Sequence, residues 1–239
     1  MKRTLLLTND YPPVVSGIST VYFHIWKHLD PETHWILTPS FPGGKAFDLP
    51  HNINVIRHPA LPPNFLFAKI INTCIQLLYV KILILFFGVR KIHAGQLWTS
   101  GTIGWLMYTF FRIPYFLWVY GGETKAVYMK GPISTFWGKA LLKGARKIIA
   151  NSRFCQKEFL SYGFQDEDAP IILPGVDPAV FTPGNPPQEL MRQYKPAGEK
   201  ILLTVARISE RKGHDLIIKA LPKKIKKHPQ TVYLIVGKG

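Results

Sequence analysis

ILLTVARISERKGHDLIIKALPKKIKKHPQTVYLIVGKG, from Ile201 to Gly239, is the stretch that decides the fold. Two continuous apolar runs, Ile201–Ala206 and Thr231–Val236, bracket a helix-period segment, His214–Ile225. Strands buried on both faces need no polar alternation, so this order predicts a β-α-β unit with parallel strands. The first strand delivers Arg207 at its carboxyl end, and Lys212 and Gly213 follow before the helix. Ligands of open parallel sheets bind at the carboxyl ends of strands. Arg207 offers a planar fork, Lys212 a point charge and the helix N-terminus partial positive charge, a set suited to a diphosphate. On spacing alone, a solvated basic loop fits equally well.

The same alternation runs upstream. Strands are expected at Thr4–Thr8, His34–Thr38, Asn54–Arg57, Lys91–Gln96, Tyr115–Tyr120, Lys147–Asn151 and Ile171–Leu173. Helices are expected at Ser19–Leu29, Phe65–Phe87, Thr102–Phe111, Ile133–Lys143 and Arg153–Tyr162. This is an α/β chain with a parallel sheet covered on both faces. Residues 175–198 hold several prolines and three glycines and read as a linker, since proline fixes φ and lacks a donor. The domain expectation is therefore 1–174, a linker at 175–198, and the start of a second unit at 199–239. A unit that short seldom buries enough surface to fold alone.

The chain has 239 residues, with Lys+Arg 30 against Asp+Glu 14, a formal net charge of +16. Such a field attracts nucleic acid, anionic lipid or phosphorylated small molecules. Nucleic acid is set aside, because neither aromatic platforms nor a known module accompany the charge. Lys223, Lys224, Lys226 and Lys227 suit a helix C-terminus instead. Cys74 and Cys155 make neither a disulfide framework nor a metal spacing. The apolar run in MKRTLLLTNDYPP is too short for a signal peptide, so the expected location is cytoplasmic. FLFAKIINTCIQLLYVKILILFFGV is long enough to span a bilayer, but Lys69, Asn72, Gln76 and Lys81 interrupt it. Lys69, Asn72, Thr73 and Gln76 fall on one side at helical spacing. The segment reads as an amphipathic helix, packed on the sheet or lying peripherally on an anionic membrane surface.

VARISERKGHDLIIKAL resembles the donor-site signature of the family 4 retaining glycosyltransferases, G-R-x-x-x-x-K-G-x-D, with Ala206 in place of the usual Gly and with Arg207, Lys212, Gly213 and Asp215 matching. Three further stretches agree in order. TNDYPPVVSGIST resembles the first strand and glycine-rich loop. IIANSRFCQKEFLSYGF resembles the A-N-S strand–helix segment. IILPGVDPAVFTP resembles the junction segment without its Asn. The resemblance implies the GT-B architecture, with an acceptor-side Rossmann-like domain and a nucleotide-sugar domain. It implies that Arg207 and Lys212 hold the donor diphosphate, with Ser16 and Gly17 on the loop nearest the phosphates or sugar. Gly17 is equally an ordinary turn glycine. In FLWVYGGETKAVY, Tyr120 stands where many members carry His, so a polar catalytic role passes to Tyr120 or Glu123, unless Glu123 only caps the next helix. The implied reaction moves a sugar from a nucleotide-diphosphate sugar, the sole co-substrate, to a saccharide or lipid-linked acceptor, without a cofactor or metal. In the family about a further ~100–150 residues, including a glutamate pair, follow the segment matching VGKG. The chain as it stands is therefore expected not to complete the transfer. A non-catalytic membrane-surface or partner-binding role and a nucleotide-sugar epimerase are the rival readings.

Overall fold

The structure, a computed structural model, describes residues 3–62, 64–123, 127, 131–194 and 200–238. It divides into two compact units, Met1–Val176 and Asp177–Gly239.

The first unit is a six-stranded sheet of order β3-β2-β1-β4-β5-β6 in which every pairing is parallel. Its strands are β1 (Arg3–Leu7), β2 (His34–Pro39), β3 (Asn54–His58), β4 (Val89–Ala94), β5 (Tyr115–Val119) and β6 (Lys147–Ala150). Between and after them run α1 (Gly17–Trp26), α2 (Gly44–Asp48), α3 (Ala68–Phe87), α4 (Thr99–Phe111), α5 (Pro132–Gly144) and α6 (Arg153–Leu160). Leu5, Leu6 and Leu7 are all fully buried, which only a sheet covered on both faces permits. Burying each such side chain stabilises by about 1.5–3 kcal/mol. Leu5 and Leu7 pack with Val80, Leu83, Ile103, Met107 and Leu141, under α3, α4 and α5. Leu6 joins Tyr22, Trp26, Ile36 and Trp118, under α1.

Local chemistry sets the ends of these elements. The Ser16 hydroxyl accepts the Ser19 N–H at 3.0 Å to start α1, and Ser152 accepts Cys155 N–H at 3.2 Å to start α6. Gly88, at φ +67°, stops α3 in the left-handed conformation that glycine adopts without strain. A bidentate ion pair joins Arg57 to Asp48 at 2.7 and 2.8 Å, and Arg57 also donates to the Pro12 carbonyl at 2.6 Å. That clamp fixes the loop after β1 against β3 and α2.

The expected strand at Ile171–Leu173 is reduced to a single bridge between Ile171 and Ala150. Pro170 and Pro174 flank it, and without their N–H groups the ladder does not extend. α2 was not anticipated. Its N-cap is Gly43 at φ +76°, with no side-chain cap to signal a start.

The second unit holds α7 (Gln188–Tyr194), β7 (Lys200–Val205), a 3-10 turn at Glu210–Lys212, α8 (His214–Lys227) and β8 (Thr231–Val236). β7 and β8 pair in parallel from Lys200↔Thr231 to Val205↔Val236, as the sequence predicts. α7 lies inside the stretch read as linker. It begins directly after Pro186 and Pro187, where a fixed φ favours a first helical turn.

Candidate functional site

In the first unit the crossovers from β1 lead toward β2 and β3, whereas those from β4 lead toward β5 and β6. The sheet order thus reverses between β1 and β4, which opens a crevice at the carboxyl ends of those strands. A polar network fills its floor. The Asn9 N–H donates to Gln96 Oε1 at 3.1 Å, and the Gln96 amide donates to Thr8 Oγ1 at 3.0 Å. Asn9 Nδ2 donates to Thr99 Oγ1 at 3.3 Å. Gln76 Nε2, from within α3, donates to Asn9 Oδ1 at 2.6 Å. Sequence reasoning passed over Asn9, Gln76 and Gln96. In the sequence Gln76 is one of several polar residues that interrupt the helix, and what brings the three amides together is the pairing of β1 with β4.

Ser16 and Gly17 sit on the loop after β1, at the start of α1. The Ser16 side chain is engaged in capping. Gly17 is exposed, and a Cβ added to it would find nothing within 4 Å. The protein's own packing therefore does not demand glycine there.

Tyr120 and Glu123 sit on the loop after β5. Gly121 and Gly122 between them adopt φ +97° and +82°, left-handed conformations that explain the Gly-Gly pair. The turn folds the Glu123 carboxylate back, and its Oε1 accepts the Tyr120 N–H at 3.0 Å. Among the described residues Oε2 is buried with no hydrogen-bond partner. Burial raises the Glu123 carboxyl above its usual range, with backbone N–H groups pulling the other way. Glu123 is itself the first helical residue of the segment that it was alternatively expected to cap, and residues 124–126 lie outside those described. Tyr120 packs edge-on against Tyr22 at 5.9 Å, and burial raises its phenol so that it stays neutral. Tyr22 donates to the Gly95 carbonyl at 2.9 Å, linking α1 to the β4 loop. Tyr120, Tyr22 and the loop after β4 therefore meet at the carboxyl ends of β4 and β5, with Glu123 beside them.

His93 is elsewhere. It stacks on Phe116 with ring centroids 5.0 Å apart, and its Nδ1 accepts the Trp118 indole N–H at 3.1 Å. Burial lowers its pKa to about 4. A cleft of about 380 Å³ opens beside it, lined also by Thr4, Trp26, His34 and Lys91. None of the predicted site residues lines that cleft.

In the second unit Arg207 lies just beyond β7, and Lys212 ends the 3-10 turn that leads into α8. Gly213, at φ +69°, makes the turn from one into the other. His214 anchors the loop, its Nε2 3.1 Å from the Arg207 carbonyl oxygen. Arg207 and Lys212 are exposed, and neither forms an ion pair among the described residues. Asp215 instead holds Lys219 at 3.2 Å. At the end of β8, a Cβ on Gly237 would fall 1.8 Å from the Ala206 carbonyl oxygen. Glycine is thus required where the two strand ends press together, which explains the Gly in VGKG.

The sequence profile of Glycosyltransferase Family 4 matches residues 15–180, and that of Glycosyl transferases group 1 matches residues 188–239. Among curated proteins, glycosyltransferase MJ1069 of Methanocaldococcus jannaschii is 26% identical, across 99% of this chain and 64% of that protein. A GDP-mannose-dependent alpha-(1-6)-phosphatidylinositol monomannoside mannosyltransferase of Mycolicibacterium smegmatis is 24% identical, across 98% and 60%. Among solved structures, Anabaena Alr3699/HepE in complex with UDP and glucose superposes with a TM-score of 0.75 at 18% identity, covering 100% of this chain and 62% of that one. The chain thus spans less than two thirds of the length of these relatives.

Proposed function

The chain belongs to Glycosyltransferase Family 4, and from that premise we propose that the protein moves a hexosyl group from a nucleotide-diphosphate sugar to a saccharide or lipid-linked acceptor, with retention of anomeric configuration. The observation that carries this reading is the β7–α8 loop. It offers two exposed basic side chains, Arg207 and Lys212, beside the N-terminus of a 14-residue helix. As the bond between the sugar C1 and the phosphate oxygen breaks, the electron pair leaves with the nucleoside diphosphate. Arg207, Lys212 and the α8 N–H groups stabilise the charge that develops there. The acceptor hydroxyl forms the new bond to C1 on the face the diphosphate leaves, and its proton passes to the departing phosphate oxygen. Glu123 Oε2, buried and without a hydrogen-bond partner among the described residues, and the neutral Tyr120 phenol are the polar groups assigned to the acceptor side. Ser16 and Gly17 supply the loop backbone that approaches the donor. Of the proteins named above, one is named as GDP-mannose-dependent and another is in complex with UDP and glucose, which supports the donor class without selecting a sugar.

Product analysis of the complete protein tests the proposal. NMR of the product should show a glycoside with the donor's anomeric configuration, together with free nucleoside diphosphate. Arg207→Ala and Lys212→Ala should each lower kcat/KM about 100-fold, the scale of losing one charge-stabilising group. Both side chains are exposed, so the melting temperature should hold. An epimerised sugar nucleotide with no glycoside would overturn the reading.

A further inference from the structure

α3 is built inside out for a surface helix. Its inward stripe carries Asn72, which bonds the Leu61 backbone, and Gln76, which reaches Asn9. The sequence places Lys69, Asn72, Thr73 and Gln76 on one side of the helix without orienting it, and the structure turns two of them, Asn72 and Gln76, into the protein. The outward stripe is apolar apart from Lys81, with Ile70, Leu78, Ile82, Leu85 and Phe86 exposed by 63%, 58%, 38%, 71% and 78%. Among the described residues α3 is the one helix long and apolar enough to cross a membrane, and only 22% of that apolar window is buried. Crossing is excluded by the fold. β3 and β4, which flank α3, belong to one sheet, so both helix ends stay on one side of any bilayer. The helix is about 30 Å long. Its neighbour α4 adds Phe110, 71% exposed, in its last turn.

We propose that this face of α3, with the last turn of α4, lies flat on an anionic lipid surface. Charge complementarity selects that occupant. No acidic residue occurs from Leu49 to Gly122, while Lys69, Lys81, Arg90 and Arg112 are exposed along or at the ends of these two helices. An apolar stripe within a basic rim fits acyl chains and anionic headgroups together. A second copy of the chain fits poorly, because a twofold contact sets these like charges against each other.

The test uses vesicle flotation and does not involve sugar transfer, so it stands apart from the activity reading. With phosphatidylcholine vesicles containing phosphatidylglycerol, the protein should float, with affinity at least about tenfold above that for phosphatidylcholine alone and reduced by high salt. Leu78→Ser combined with Leu85→Ser should abolish flotation. Insertion is also readable without substituting α3. Cys74 is exposed on this helix and Cys155 is buried, so an environment-sensitive fluorophore on Cys74 should shift to the blue with anionic vesicles. Absence of both flotation and shift would overturn the proposal. So would a concentration-dependent dimer, seen by light scattering, that the double variant converts to monomer.

Discussion

Gly17 and Gly237 look alike in the sequence and differ in cause. Gly237 is dictated by the protein itself, because a side chain there would overlap the Ala206 carbonyl. Gly17 has open space around it, so its local packing gives no reason for it. Gly17→Ala is therefore expected to leave stability within about 0.5 kcal/mol of the parent, while weakening nucleotide-sugar binding measured by calorimetry. A loss of stability would make it an ordinary turn glycine. His93 is a structural residue with a pH signature. Its folded pKa of about 4 lies below the ordinary value of 6.5. Below pH 6.5 the unfolded chain binds a proton that the folded chain refuses. Urea midpoints should fall as pH drops from 6.5 toward 4, by on the order of 3 kcal/mol, and a flat profile would contradict the burial. The residues of the candidate site were legible in unequal degree. Arg207 and Lys212 could be named from their place at a strand's carboxyl end. Asn9, Gln76 and Gln96 could not, because their role depends on which strands become neighbours.

At the scale of elements, continuous apolar runs marked β1 and β5 well, because a strand buried on both faces must be apolar throughout, whereas β7 is apolar yet leaves Leu203 and Val205 exposed. Ile171–Leu173 met that rule and failed on its flanking prolines. α2 escaped notice, being short and without a side-chain cap. α3 was legible as a helix but not in orientation. Which stripe faces inward depends on Asn9 and Leu61, whose places tertiary structure sets. Helix–strand packing here is close enough to test by adding one methyl. In α4, a Cβ on Gly104 would meet the Tyr115 ring at 2.9 Å. Alanine is the better helix former by about 1 kcal/mol. Overpacking against a buried ring costs about 1–3 kcal/mol, and Tyr115 is fully buried. Gly104→Ala should therefore lower the melting temperature, and a rise would show that β5 and α4 can move apart.

At the scale of the whole molecule, the parallel architecture and the start of a second unit both follow from patterning. The strand order 3-2-1-4-5-6 does not. Periodicity says that strands are parallel and says nothing of where the chain reverses along the sheet. That reversal creates the crevice at which Tyr120 and the loop after β1 lie. The second unit presents its basic loop independently, with β7 and β8 aligned over six residue pairs. The central claim is that this loop receives the diphosphate of a sugar donor. The most direct measurement is a titration of the isotope-labelled protein with UDP and with GDP, followed by backbone amide NMR. The amides of Ile208 to Gly213 should shift with one of the two nucleotides. The shifts should vanish in the Arg207→Ala, Lys212→Ala double variant, whose spectrum is otherwise unchanged. A loop that stays silent with both nucleotides, or shifts equally in the double variant, would contradict the account.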